Sequence, residues 1–233
     1  WTWLLWSTVG FGLFYAPLSM ASIYGESWFV AATWQITILA GLLLTPLFGQ
    51  KIPRKQLGMT LLILLGIVLI QIPYFGRGLG EGVVRASILI LIAAFSYPLG
   101  NRKMLVHCKE EQLSTTQRVF GMTLMSVPFW LLLAVFAGVD AGLPSGGQML
   151  QSLIVAVFSG VIATMLFFEA TNLVKHSHQQ LAVVEATQAG EVLFTLFGGC
   201  LFLGDQIPTP LGFLGVSIVI IGIVGNSLMT SSD

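Results

Sequence analysis

Residues 33–66 read TWQITILAGLLLTPLFGQKIPRKQLGMTLLILLG, and residues 186–222 read ATQAGEVLFTLFGGCLFLGDQIPTPLGFLGVSIVIIG. Laid over one another, Gln35 falls opposite Gln188, Gly49 opposite Gly204, Ile52-Pro53 opposite Ile207-Pro208 and Leu57-Gly58 opposite Leu211-Gly212, at a separation of about 153 to 155 residues throughout. Generic hydrophobicity would align leucines; matched Gln, Gly and Pro mark an internal repeat. Each stretch reads as an apolar helix, a tight Pro-bearing turn and a second apolar helix. The first turn carries Lys51, Arg54 and Lys55, whereas the second carries only Asp205. Lys and Arg gather on the cytoplasmic side of a membrane, so the two hairpins are expected to face opposite sides. That is an inverted-topology repeat, an arrangement found in many secondary transporters.

The rest of the chain agrees with a membrane setting. Of 233 residues, 55% are hydrophobic and 9% charged, and the mean hydropathy is +0.89. Ten Lys and Arg balance ten Asp and Glu. Twenty charges are too few to cover a soluble domain of this size, which excludes a soluble enzyme. A disordered chain and a nucleic-acid binder are excluded too, the latter because it would need a basic excess. Cys108 and Cys200 cannot form a disulfide framework.

A helix needs roughly 20 apolar residues to cross the hydrocarbon layer. Runs free of Asp, Glu, Lys and Arg cover 1–25, 27–50, 56–76, 86–101, 119–139, 141–168 and 206–232, and a further apolar stretch, 181–203, is interrupted by Glu185 and Glu191. In chain order these predict eight transmembrane helices, the fourth short enough to borrow residues at both ends. Runs such as Leu61-Leu62-Ile63-Leu64-Leu65 lack the alternation of a β-barrel strand. The alternate loops divide the basic residues eight to two: Lys51, Arg54, Lys55, Arg102, Lys103, Lys109, Arg118 and Lys175 against Arg77 and Arg85. The orientation expected is N-in, C-in. All loops are short, so any chemistry sits within the bundle.

Inversion requires an odd number of helices per repeat. The second and third helices correspond to the seventh and eighth, so the repeat is five helices long. The fold expected is thus an all-α polytopic bundle, part of a ten-helix (5+5) inverted repeat lacking its first two helices. A start at Trp1, with no basic leader before it, fits that expectation. Residues 1–75 would be the remainder of the first repeat, with three helices. Residues 76–85, containing Gly76, Gly78, Gly80 and Gly82, would be an outward linker, and 86–233 the second repeat, with five helices.

Gly204-Asp205-x-x-Pro208-x-x-Leu211-Gly212 followed by Gly222-Ile223-Val224-Gly225 resembles the closing hairpin of the drug/metabolite transporter superfamily. Ala94-Phe95-Ser96-Tyr97-Pro98 followed by Arg102-Lys103 is similar to its sixth helix, and Trp34-Gln35 with Val184-Glu185-Ala186-Thr187-Gln188-Ala189-Gly190-Glu191 looks most like its multidrug-resistance efflux branch (EamA and EmrE-like). The resemblance covers nearly the whole chain. It implies two five-helix repeats around a central cavity, export of small organic molecules, and residence in the bacterial plasma (inner) membrane. The coupling glutamate of the small relatives lies in a first helix that has no counterpart here, so that role is not carried over.

Candidate residues follow from depth. A charge at mid-membrane costs about 2.5–3.5 kcal/mol on insertion scales. Glu191 sits near the centre of 181–203, and Glu185 about one turn inside its cytoplasmic edge. Gln188 is three residues from each, making a slanting polar band. A carboxyl there can alternate between a proton and a cationic substrate, or it can simply tie helices together; Glu185 could also snorkel to the interface. Gln35, facing Gln188 by repeat symmetry, offers an amide that donates and accepts, suited to a polar solute or to an interhelical bond. Trp34 could stack on a planar or cationic ligand or pack in the core. Gly212, Gly215, Gly222 and Gly225 share one face of the eighth helix and permit close contact, within the fold or with a second copy as a homodimer. Pro17, Pro46, Pro98 and Pro128 lie within spans and could kink them.

No phosphate-binding Gly-x-x-x-x-Gly-Lys-Ser/Thr, no His-Glu-x-x-His and no Cys-x-x-Cys occurs, and His176-x-His178 lies in a loop. The function expected is secondary active export of small organic molecules, drugs or metabolites, by proton-coupled alternating access, with no enzymatic activity, cofactor or metal. The partners are a small-molecule substrate and the bilayer. An amino-acid or other metabolite permease, a non-transporting membrane protein and an inactive fragment are the competing readings.

Overall fold

The computed structural model describes residues 1–24, 27–52, 54–75, 81–187, 190–198, 200–201 and 209–230. Every regular element among them is helical. In chain order they are α1 Thr2–Tyr24, with a π-helical turn at Thr8–Gly12; α2 Ser27–Trp34; α3 Ile36–Leu43; α4 Arg54–Phe75; α5 Glu81–Glu110; α6 Thr115–Ala141; α7 Gly146–Leu173, with a π-helical segment at Ala156–Ala163; α8 His178–Ala186; α9 Gly190–Gly198; and α10 Pro210–Thr230. Four are long and apolar enough to cross a membrane: α1, the Val84–Glu110 part of α5, α6 and α7. The 22 residues of α4 and 21 of α10 carry shorter apolar stretches, Leu57–Leu69 and Pro210–Gly225.

Local chemistry sets several ends. Ser114 and Ser145 each cap a helix in reciprocal boxes with Gln117 and Gln148, which begin α6 and α7. Pro46 does not kink a span: it lies in a 3-10 turn, Thr45–Phe48, that Gly49 closes at φ 74, where a side chain would be strained. Three sequence expectations change. The second and seventh spans are each broken, into α2 and α3 and into α8 and α9. The fourth helix is longer than its charge-free run, so Arg102, Lys103, His107 and Lys109 are helical, not in a loop. Residues 81–85 of the expected linker begin that helix, with an i,i+4 ion pair from Arg85 to Glu81 at 3.2 Å; 76–80 lie outside the described residues.

The chain forms two compact units, 1–12 with 100–175 and 13–99 with 176–233. In the first unit, Gly10 and Gly100 let their helices meet at the backbone, and Gly12 and Gly121 receive the rings of Phe129 and Trp3. The outer faces of α6 and α7 expose Leu131, Leu132, Val135, Phe136, Leu153 and Phe158. A surface this apolar is a lipid-facing surface.

The second unit has two apolar clusters. One gathers Phe14, Trp34, Ile90, Ala93 and Ala94. The other gathers Ile38, Ile63, Ile67, Val192, Val216 and Val219, where α4 meets α10. A Cβ on Gly66 would lie 2.6 Å from the Gly215 carbonyl and 2.9 Å from Val219; one on Gly222 would lie 2.5 Å from Ile63 and 3.4 Å from the Met59 carbonyl. Contacts that descend one helix while ascending the other make the pair antiparallel. They are also reciprocal: Gly66 and Gly222, Met59 and Gly215, and Ile63 and Val219 are each 156 positions apart. The glycine face of α10 is thus occupied by α4 of the same chain.

Candidate functional site

The breaks in the helices position the polar groups. Gln35 stands between α2 and α3 at φ −61, ψ −10, and its carbonyl accepts from the Ile38 amide at 3.1 Å, a tight turn in place of a helical bond. Its side-chain Nε2 donates to the Ala31 carbonyl, four residues earlier, at 3.3 Å. The same Nε2 donates to Glu191 Oε2 at 3.5 Å, a long bond. Gln35 is fully buried, and its Oε1 has no hydrogen-bond partner among the described residues.

Glu191 occupies the first turn of α9, and its side chain is exposed. Amides at the start of a helix lack intrahelical acceptors, so an anion is favoured there. The next residue, Val192, is buried in the α4–α10 cluster and anchors α9. Beneath the site, Thr37 Oγ1 donates to the Ala94 carbonyl at 3.1 Å, tying α3 to α5.

Trp34 is 5% exposed and packs against Phe14 and Tyr97, with centroids at 4.9 and 5.7 Å. Phe14 also meets Tyr97 at 4.6 Å. Stacking of a ligand on Trp34 would require these rings to part. Glu185 belongs to α8, its side chain outside the described residues, and Gln188 lies wholly outside them. The structure therefore joins Gln35 to Glu191, with Trp34 alongside in the chain. Sequence reasoning missed Phe14, Tyr97 and the pairing of Gln35 with Glu191. The readable signals were the mid-span polar residues and Gly190, a residue that weakens a helix.

Two relatives are similar to this chain. The "Uncharacterized protein YjlA" of Bacillus subtilis (strain 168) is 48% identical over 238 residues, covering 95% of this chain and 72% of the relative. An "Uncharacterized 42.1 kDa protein in intracellular alkaline protease 3'region" of Shouchella clausii is 42% identical over 199 residues, covering 81% of this chain. The match spans 52%, about half, of that second protein. Residues 1–232 match the family described as "EmrE: Putative multidrug resistance efflux transporter". With apolar helices long enough to cross a bilayer and a match over nearly its whole length, the chain belongs to this family of integral membrane transporters, which act on small molecules and are not enzymes.

Proposed function

We propose that the chain exports small organic molecules by proton-coupled alternating access, with Glu191 exchanging a proton for a cationic substrate. The observation that carries this reading is an acidic side chain at a helix break, hydrogen-bonded to a fully buried glutamine on a second broken helix. Transporter sites are commonly built at such discontinuous helices, where backbone groups freed from the ladder meet the solute. Gln35 Oε1, a buried acceptor with no partner among the described residues, suits an N–H donor, so amines and zwitterions head the substrate classes. In the same proposal, Gln188 and Glu185 would supply further polar groups, and Trp34 with Tyr97 an aromatic wall.

The antiparallel contact of α4 with α10 is the arrangement that an inverted repeat requires of these two helices. On this reading the chain has eight spans of a ten-helix plan, divided at 76–85, and lies N-in, C-in in the plasma membrane. The test is a panel of labelled cationic, zwitterionic and neutral solutes in proteoliposomes with an imposed pH gradient. Gradient-dependent movement of amine-bearing solutes is expected; movement of none would overturn the reading.

Gln35→Leu gives a graded check. It removes two long hydrogen bonds, to the Ala31 carbonyl and to Glu191, together with one unsatisfied buried acceptor, so stability is expected to change little. The KM for amine solutes should rise about tenfold, the equivalent of about 1.4 kcal/mol, with apolar solutes unaffected. Equal change for both classes would deny Gln35 a recognition role.

A further inference from the structure

We propose that the two compact units move relative to one another about a hinge built into α1 and α5, and that Thr37 ties this hinge to the Gln35–Glu191 pair. The proposal rests on the transport reading and deepens it: the moving bodies are the two units, not the two sequence repeats. The chain passes from one unit to the other at 12–13, 99–100 and 175–176. The third passage is the turn between α7 and α8, which resists motion little. The other two lie inside the continuous helices α1 and α5, so relative motion has to bend them.

Both helices are weakened where they pass. In α1 the passage follows the π-helical turn Thr8–Gly12. A π turn breaks the i to i−4 ladder, and such turns gather at functional sites. Leu13 comes next, and Pro17, four residues on, has no amide to donate to the Leu13 carbonyl. In α5, Pro98 stands two residues before Gly100 and withholds the same bond from the Ala94 carbonyl. In-helix prolines and π turns are the usual causes of a kink. The weak points also lie beside one another. Within the first unit, Gly10 and Gly100 meet backbone to backbone, with no room for a side chain. Within the second, Phe14 packs on Tyr97 with ring centroids 4.6 Å apart. The two helices therefore bend as a pair.

The bond that Pro98 withholds is replaced from the candidate site. Thr37 Oγ1 donates to the Ala94 carbonyl at 3.1 Å, and Thr37 is 3% exposed. A buried carbonyl without a donor is costly, so proline and threonine act together: one frees the acceptor and the other fills it. Thr37 lies in the first turn of α3, two residues after Gln35, whose side-chain amide holds Glu191. Bending α5 at Pro98 moves the Ala94 carbonyl, and Thr37 passes that motion to the turn that carries Gln35. By linkage, a change at Glu191 biases the hinge in return.

The test is pulsed electron spin resonance on the full chain in nanodiscs, with Cys108→Ala and Cys200→Ala as background. Spin labels are placed at Leu143→Cys in the first unit and Ile23→Cys in the second, both exposed. Two distance populations are expected, and a single narrow distance would overturn the hinge. Pro17→Ala with Pro98→Ala restores both ladder bonds and should remove the minor population. Should that pair fail to give a monodisperse protein, Pro98→Ala alone should shrink it; a wild-type distribution in the folded variant overturns the hinge as well. Glu191→Gln should shift the two populations in an otherwise wild-type chain and in Thr37→Ser, which keeps the hydroxyl, but not in Thr37→Val. Equal shifts in all three would sever Thr37 from the site. Two distances in a chain that moves no solute in the proteoliposome panel would sink the transport reading and leave the hinge standing.

Discussion

Proteoliposomes carrying Glu191→Gln are expected to move solute down an imposed pH gradient no faster than protein-free vesicles. Gln matches Glu in length and keeps an oxygen that can accept from Gln35 Nε2, now at 3.5 Å. Fold and helix packing should therefore survive, and monodispersity in detergent checks this. The variant cannot release or take up a proton at that position. Solute counterflow without a gradient separates the two possible losses. Retained counterflow with lost gradient-driven movement assigns coupling to Glu191, while loss of both assigns it substrate binding as well. Glu191→Asp draws the carboxyl back from a bond already long, so partial activity with weaker coupling is expected. Wild-type rates in Glu191→Gln would remove the carboxyl from the mechanism altogether.

Why Glu191 stood out in the sequence, and why its partner did not, has a physical reason. An acidic residue inside an apolar stretch is expensive in lipid, so its position alone is informative. Its partner depends on where the helices break, and charge-free runs treat 27–50 and 181–203 as continuous rods. Gln35 terminates α2 by turning its side-chain amide onto the carbonyl of Ala31, four residues back. Nothing in hydropathy marks that competition. Charge counting also closed helices too early. The charge pattern predicts loops at Arg102 and Arg118, yet each is 3% exposed within a long helix. A cation can be buried where acceptors and a ring face await it, as Phe168 does for Arg118. The capping boxes were readable, since Ser114-x-x-Gln117 and Ser145-x-x-Gln148 are local patterns. The glycines of the last helix were readable as a contact face, but not as a face for α4, because small residues serve any close-packed partner equally well.

The glycine crossing should show the largest stability effects, and in a definite order. Gly66→Ala sets a methyl 2.6 Å from a backbone carbonyl, that of Gly215, and 2.9 Å from both the amide and a methyl of Val219. Backbone cannot rotate away, so α4 and α10 must separate and loosen the Ile63, Ile67, Val216 and Val219 cluster. A cost of about 3 kcal/mol is expected, the upper end of ordinary overpacking. Gly222→Ala first meets the Ile63 side chain at 2.5 Å and the Ile63 amide only at 3.3 Å, so a rotamer change relieves part of the clash. About 2 kcal/mol is expected. Gly225→Ala meets the Met59 thioether at 2.9 Å, a flexible group, and should cost less again. Gly58→Ala has open space around it and should be neutral or stabilising by up to about 1 kcal/mol through helix propensity. Thermal unfolding in detergent, read by loss of the monodisperse peak, ranks the four. The double variant Gly66→Ala with Gly222→Ala carries more information than either single change. Because reciprocal contacts join the same two helices, separation forced by one methyl also relieves the other. The costs should therefore be sub-additive, whereas full additivity would mean that the two ends of the crossing yield independently.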